Sequence, residues 1–133
     1  MNNFIYYDYA SSSVCKVQED QADFVKASNI PSYLNQLCLE NGSSLQGRKD
    51  AYKYIMHQSK FIPIRIHSSL IYFPTKAVAD PECIWINYYS IDYVNYRKKS
   101  CTIFFLDHTA LHCANSKRIK HILQSIGQYV QRF

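Results

Sequence analysis

The sequence predicts an α+β domain: a mostly antiparallel sheet, two short helices in the N-terminal half and an amphipathic helix at the C-terminal end. Three observations predict it. Short runs of β-branched and aromatic residues recur between turn residues. A helix-start signal stands at Ser43 and Ser44 after a glycine. Near the end, Ile119, Ile122, Leu123, Ile126, Val130 and Phe133 fall on one narrow stripe at helical spacing. At 133 residues the chain reads as a single domain, residues 1–133, able to bury roughly two-thirds of its unfolded surface. Apolar content of 47% and aromatic content of 15% exclude a disordered tail.

Phe4-Ile5-Tyr6-Tyr7 and Val14-Cys15-Lys16-Val17 read as two short strands around a turn at Ser11-Ser12-Ser13. Pro31 to Leu39 fits a short helix, with proline at its first position and Asn41-Gly42 ending it. The next helix, Ser44 to about His57, starts from a capping box in which Ser43 and Gln46 satisfy each other's backbone donors. Leu45, Tyr52, Ile55 and Met56 share its inner face. Gly47 inside that helix costs about 1 kcal/mol against alanine, so something is expected to approach the backbone there, a neighbouring element or a phosphate.

Phe61 to Ile66 and Leu70 to Phe73 read as strands, the second stopped by Pro74. Cys83 to Tyr96 alternates as one long or bent strand, with Cys83 and Trp85 on the same face. Cys101 to Leu106 and Thr109 to Cys113 fit a hairpin around Asp107-His108. A helix from about Ser116 to Gln131 closes the chain. Tyr129 edges its apolar stripe, and Lys117, Lys120, His121, Gln124, Gln128 and Arg132 lie largely opposite.

Charge is unevenly spread. Residues 1–43 carry two lysines against five acids, net −3; residues 44–133 carry thirteen Lys and Arg against five acids, net +8; together they give the overall +5. No carboxylate side chain follows Asp107, whereas Lys117, Arg118, Lys120 and Arg132 do. The asymmetry suits a polyanionic partner; a solvated basic surface is the plain alternative. Lys117, Arg118, Lys120 and His121 crowd the first turns of the last helix, where cations oppose its dipole at a cost of a few tenths of a kcal/mol each. An approaching phosphate accounts for that choice and local stability does not. Arg97-Lys98-Lys99 joins strands rich in tyrosine (Tyr88, Tyr89, Tyr93, Tyr96), a pattern that enters a DNA groove, stacks unpaired bases or merely solvates a turn.

Other chemistries fit poorly. Gly42 and Gly47 have the glycine spacing of a phosphate loop, but Arg48-Lys49 replaces the lysine and hydroxyl that such a loop needs for Mg²⁺. Lys49 and Lys53 still suit an anion near the helix start, while Arg48 falls on the inward face, paired within the fold or aimed into a groove. His108, His112 and Cys113 lack partners at metal-ligand spacing. Asp50, Asp80, Glu82, Asp92 and Asp107 form no hydrolase motif with a serine, cysteine or histidine. No enzyme, cofactor or metal is therefore expected. No run of 18 apolar residues occurs, and Met1-Asn2-Asn3-Phe4 has no basic-then-apolar layout, so neither a membrane span nor a secretory signal is expected. Five cysteines without a CxxC pair fit structural thiols in a reduced, cytoplasmic protein.

From Cys38 onward the chain resembles the bacterial competence transcription factor family, ComK. The resemblance rests on Cys38, Gly42-Ser43-Ser44, Gly47-Arg48-Lys49, Lys60, Pro63-Ile64, Phe73-Pro74-Thr75 and Cys83-x-Trp85-Ile86, and continues more loosely through the hairpin and last helix. It implies a sequence-selective DNA-binding regulator of competence and DNA-uptake genes, binding AT-rich boxes of double-stranded DNA largely through the minor groove, as a homodimer or dimer of dimers. Longer members continue past the last helix into a tail tied to activation and protease recognition. The alternative expectation is thus a tailless module that pairs with and titrates a full-length ComK-type relative. The DNA contacts expected are Arg48, Lys49, Lys53, Arg97, Lys98, Lys99, Lys117, Arg118 and Lys120. Gly42, Ser43, Ser44 and Gly47 would shape the helix start, and Pro74, Cys83 and Trp85 would be architectural.

Overall fold

Strands β1 (Phe4–Asp8) and β2 (Ser13–Gln18) pair antiparallel, from Phe4 opposite Val17 to Asp8 opposite Ser13. The computed structural model describes residues 2–132; Phe133, counted in the expected C-terminal stripe, lies outside them. Strand β3 (Gln21–Val25) follows at once and has no counterpart in the sequence reading. Its side chains are mostly exposed, Phe24 included, so no inside–outside alternation announces it. Glu19 and Asp20 both take positive φ, 50° and 60°, which is the geometry of a tight two-residue hairpin turn. Asn-Gly would have advertised such a turn; Glu-Asp hides it.

Helix α1 (Ile30–Glu40) is capped by Asn29, whose side chain accepts from the Ser32 backbone N–H at 2.8 Å. It ends at Asn41, and Gly42 then turns the chain at φ 85°, a conformation that favours glycine even though nothing crowds the position. Helix α2 (Leu45–Met56) is capped by Ser44, not Ser43: the Ser44 hydroxyl accepts from the Gly47 N–H at 2.9 Å. The expected capping box therefore does not form, and Gln46 donates to Asp50 Oδ1 instead. With two adjacent serines, the extended backbone at Ser44 (φ −122°, ψ 164°) decides which one caps. Glycine at 47 leaves room for the cap, since a Cβ there would stand 3.0 Å from Ser43 Oγ and 3.1 Å from Ser44 Oγ and would press on both hydroxyls. The element approaching that backbone is the cap itself.

Strand β4 (Ile64–His67) starts later than expected, because Phe61 adopts φ 53° and cannot continue a strand. Strand β5 (Leu70–Pro74) keeps Pro74 as its last residue, opposite Trp85. The single strand expected from Cys83 to Tyr96 is two, β6 (Trp85–Asn87) and β7 (Ile91–Tyr96), broken by a 3-10 turn at Tyr88–Ser90. Asn87 Oδ1 accepts from the Tyr89 N–H, and Ser90 Oγ donates to the Asn87 carbonyl at 2.7 Å, which fixes the corner. That corner moves the chain between sheets. The first sheet has the order β3-β2-β1-β6-β5-β4; the second is β7-β8-β9, where β8 is Ser100–Phe105 and β9 is Ala110–Ala114. The hairpin around Asp107-His108 forms as expected, with His108 at φ 71°. Helix α3 (Ser116–Val130) follows.

All the pairings are antiparallel, and three helices complete the α+β fold. Strands β5 and β6 of the large sheet are buried on both faces. Tyr72 and Trp85 join Leu34 and Cys38 of α1 in one core, whereas Ile71, Phe73 and Ile86 meet Ile103, Phe105, Ile119 and Ile122 in another. The molecule is thus layered: α1, then the six-stranded sheet, then the small sheet with α3. Helix α2 packs on α1 and β4 and also touches α3, where Tyr52, Ile62 and Tyr129 form a third buried cluster. Within α3, Ile119, Ile122 and Ile126 of the expected stripe are buried, but Leu123 and Val130 are only half-buried. The buried face turns instead toward Ser125 and Tyr129, which meet Tyr52 of α2. Tyr52 of α2 reaches α3 through a buried hydroxyl contact of 2.6 Å with Ser125.

Candidate nucleic-acid interface

The turn between β7 and β8 presents Arg97, Lys98 and Lys99, all exposed, at one end of the small sheet. The start of α3 is fastened to this turn. The Asn115 N–H donates to the Lys99 carbonyl at 2.9 Å, and Ser116 Oγ donates to the Lys98 carbonyl at 3.3 Å. Asn115 adopts φ 63°, a left-handed conformation that asparagine tolerates, and its side chain accepts from the Arg118 N–H to cap the helix. Lys98, Lys99, Asn115, Ser116 and Lys117 consequently line one open groove. One turn further on, Lys120 Nζ lies 5.7 Å from the centre of the Tyr96 ring, a cation–π contact that tethers its stem without neutralising it.

Five of the expected contacts, Arg97, Lys98, Lys99, Lys117 and Lys120, are brought to this end of the molecule. Among the described residues none of them forms an ion pair; the pair present there is Lys76 with Glu82 at 2.9 Å. Their mutual repulsion and their clash with the helix dipole stay uncompensated by the protein.

The other four separate from them. Arg118 turns to the sheet: its guanidinium sits 4.3 Å above the Phe61 ring, and Nη1 donates to the Thr75 carbonyl at 3.2 Å. Arg48 is half-buried, and its Nη2 donates to the carbonyls of Asn41 and Ile66 at 3.2 and 3.3 Å, the inward placement that helical geometry predicts. Lys49 is half-buried and Lys53 exposed on the same helix, which meets α3 at Ser125 and Tyr129, roughly two helical turns beyond Lys117. The start of α2 is also poorly equipped to cradle a phosphate. The Leu45 N–H is taken by Asn35 Oδ1, the Gly47 N–H by Ser44 and the Arg48 N–H by the Ser44 carbonyl. Sequence spacing shows a glycine-rich helix start but not that its donors are already engaged.

Pro74, Cys83 and Trp85 lie inside the fold. Trp85 is 3% exposed, and the Cys83 thiol donates to the Lys76 carbonyl at 3.4 Å. All five cysteines are buried and unbridged. Cys101 and Cys113 face each other across β8 and β9, yet burial pushes the Cys113 thiol up to about 12, with the Cys101 neighbour adding to the effect, so it stays protonated and unreactive at neutral pH. Among the described residues no three His, Cys, Asp or Glu converge as metal ligands, and no helix is long and apolar enough to cross a membrane.

Residues that the sequence reading passed over bind the two sheets together. Asp107 Oδ2 accepts from Asn3 Nδ2 at 2.7 Å and from the Glu19 N–H at 2.8 Å, while Oδ1 accepts from the Thr109 N–H and hydroxyl at 3.0 and 2.6 Å. Asparagine 3 and aspartate 107 are far apart in the chain, so no local motif signals their pairing.

A protein-family model described as "ComK: ComK protein" matches residues 4–129. No curated protein and no solved structure matches the chain.

Proposed function

The chain belongs to the ComK family, a family of competence-related transcription factors, and from that premise we propose that it is a cytoplasmic regulator that binds AT-rich double-stranded DNA, largely through the minor groove, as a homodimer or dimer of dimers. The observation that carries the reading is the fastening of the β7–β8 turn to the start of α3. It gathers Lys98, Lys99 and Lys117 on one groove, with Arg97 in the adjoining turn and Lys120 one helical turn further on, and none of them forms an ion pair among the described residues. A polyanion supplies the missing counter-charge. Narrow AT-rich minor grooves concentrate negative potential and draw in Arg and Lys side chains, so the cationic turn fits that groove by charge. Lys49, Lys53, Arg48 and Arg118 are assigned lesser parts, because Arg48 and Arg118 are half-buried against internal carbonyls and Lys49 and Lys53 stand on α2, away from the β7–β8 turn.

A gel-shift series on AT-rich and GC-rich duplexes at rising salt tests this. Five phosphate contacts per protomer contribute roughly −4 to −5 to the slope of log affinity against log salt, so about −9 for a bound dimer, with the AT-rich duplex held more tightly. Lys117→Glu combined with Lys120→Glu is expected to abolish the shift while moving the melting temperature little, since both side chains are exposed. A flat salt response, equal affinity for the two duplexes, or undiminished binding by the folded double variant overturns the reading.

A further inference from the structure

Tyr93 and Phe104 stack across β7 and β8, with ring centroids 4.6 Å apart and planes 13° apart. Tyr93 keeps 56% of its surface exposed. The pair lies on the face of the small sheet turned away from α3. Strand register puts Tyr93, Phe104 and Ala110 in one row and Asn95, Thr102 and His112 in another. The opposite face carries Cys101, Ile103 and Phe105, which are buried with the apolar stripe of α3. A cross-strand aromatic pair helps hold strands together, but that role gives no reason to leave the rings uncovered. An open, flat ring surface is where another planar ring gains most from stacking.

Charge decides which ring. The same strands end in Arg97, Lys98 and Lys99, roughly 13 Å along β7 from Tyr93. The single carboxylate on the three strands, Asp92, lines the groove shared with Leu123 on the helix side. The uncovered face therefore joins a stacking surface to a cationic rim and sets no strand carboxylate against an incoming phosphate. An apolar protein surface would gain nothing from such a rim; an unpaired polynucleotide uses both parts, its bases on the rings and its phosphates at the cations.

We propose that the outer face of the β7-β8-β9 sheet binds single-stranded nucleic acid, with Tyr93 as the base-stacking surface, Phe104 stacked against it from the neighbouring strand, and Arg97 and Lys98 taking phosphates. This goes beyond duplex recognition, because Tyr93 and Phe104 stand outside the groove at the start of α3.

Fluorescence anisotropy with end-labelled oligothymidine, run beside an AT-rich duplex, tests it. The unmodified protein binds the single strand, and Tyr93→Ala weakens that binding by roughly tenfold, within the range measured for losing one base–aromatic stack. Duplex affinity stays within about twofold, and Tyr93→Phe behaves as the parent. Tyr93→Ile, which keeps a sheet-forming side chain but no ring, loses single-strand binding equally and guards against a folding artefact. Lys117→Glu with Lys120→Glu gives the reverse pattern, with the duplex lost and the single strand retained. The proposal fails if the parent protein binds duplex but not oligothymidine, or if both Tyr93 variants bind the single strand as the parent does. It fails equally if those variants change only the sedimentation of the protein from dimer to monomer, which would make the face a contact between copies.

Discussion

Asp107 occupies the turn between β8 and β9 and accepts four hydrogen bonds from three residues in two parts of the chain. Burial pushes its carboxyl up, but the bonds from the Thr109 hydroxyl, the Glu19 and Thr109 backbone and Asn3 outweigh that and hold it well below the usual carboxylate range. A depressed carboxylate stabilises the fold fully above its ordinary value of 3.8 and loses that contribution as pH falls toward the folded-state value. Urea midpoints measured against pH are therefore expected to drop steeply below about pH 4, and Asp107→Asn to flatten that drop. Asp107→Ala is expected to cost about 1–3 kcal/mol at neutral pH, because it removes the acceptor of the Glu19 and Thr109 donors and leaves the buried Asn3 amide only its 3.1 Å bond to Thr109 Oγ1. Nothing in the sequence marks this residue. Its donors come from Asn3 and Glu19, and a turn aspartate read alone suggests only a local bond to Thr109.

At the scale of elements, α2 and α3 are joined at Tyr52 and Ser125. The two hydroxyls lie 2.6 Å apart, and Ser125 also donates to Gln58 Oε1 at 2.7 Å. The two truncations of this joint are unequal. Tyr52→Phe leaves Ser125 bonded to Gln58 and is expected to cost about 0.5–1.5 kcal/mol. Ser125→Ala leaves the buried Tyr52 hydroxyl without its partner and is expected to cost about 1–3 kcal/mol; thermal melts of the two variants order them. The helices were the most legible elements, because caps, proline placement and 3.6-residue spacing are local signals. The strands were legible where one face is buried or where an apolar run meets a proline stop. β8 alternates cleanly; β5 and β6 are buried on both faces, so their β-branched and aromatic runs and Pro74 signal them instead of alternation, and β3, mostly exposed, has neither signal. The break at Tyr88–Ser90 depends on Asn87 and Ser90 satisfying the backbone of the corner, and a propensity reading sees only a continuing aromatic run. The site divides the same way. Charge pattern picked out the cations and helical geometry the inward turn of Arg48, but not that Arg118 would be spent on the Thr75 carbonyl.

For the whole molecule, β5 and β6 belong to both cores, since neighbouring residues along each strand point to opposite layers. Neither core can open without exposing the other side of the same strands, so the layers are expected to unfold together. The single tryptophan makes this measurable. Trp85 is buried in the core beneath α1, whereas much of the helical signal comes from α3 on the far side of the sheet. Trp85 fluorescence and far-ultraviolet circular dichroism are expected to give coincident denaturant transitions; a displaced midpoint would show that the small sheet and α3 form a separate cooperative unit.

The two hydrogen bonds from Asn115 and Ser116 to the Lys99 and Lys98 carbonyls have a mechanical corollary. Jaws braced in this way have little freedom to mould themselves to a curved target. On the duplex-binding reading, the adjustment falls to the nucleic acid. Promoters containing easily kinked TA steps should then outcompete equally AT-rich but stiff adenine tracts, a choice made through bendability with no base edge being read.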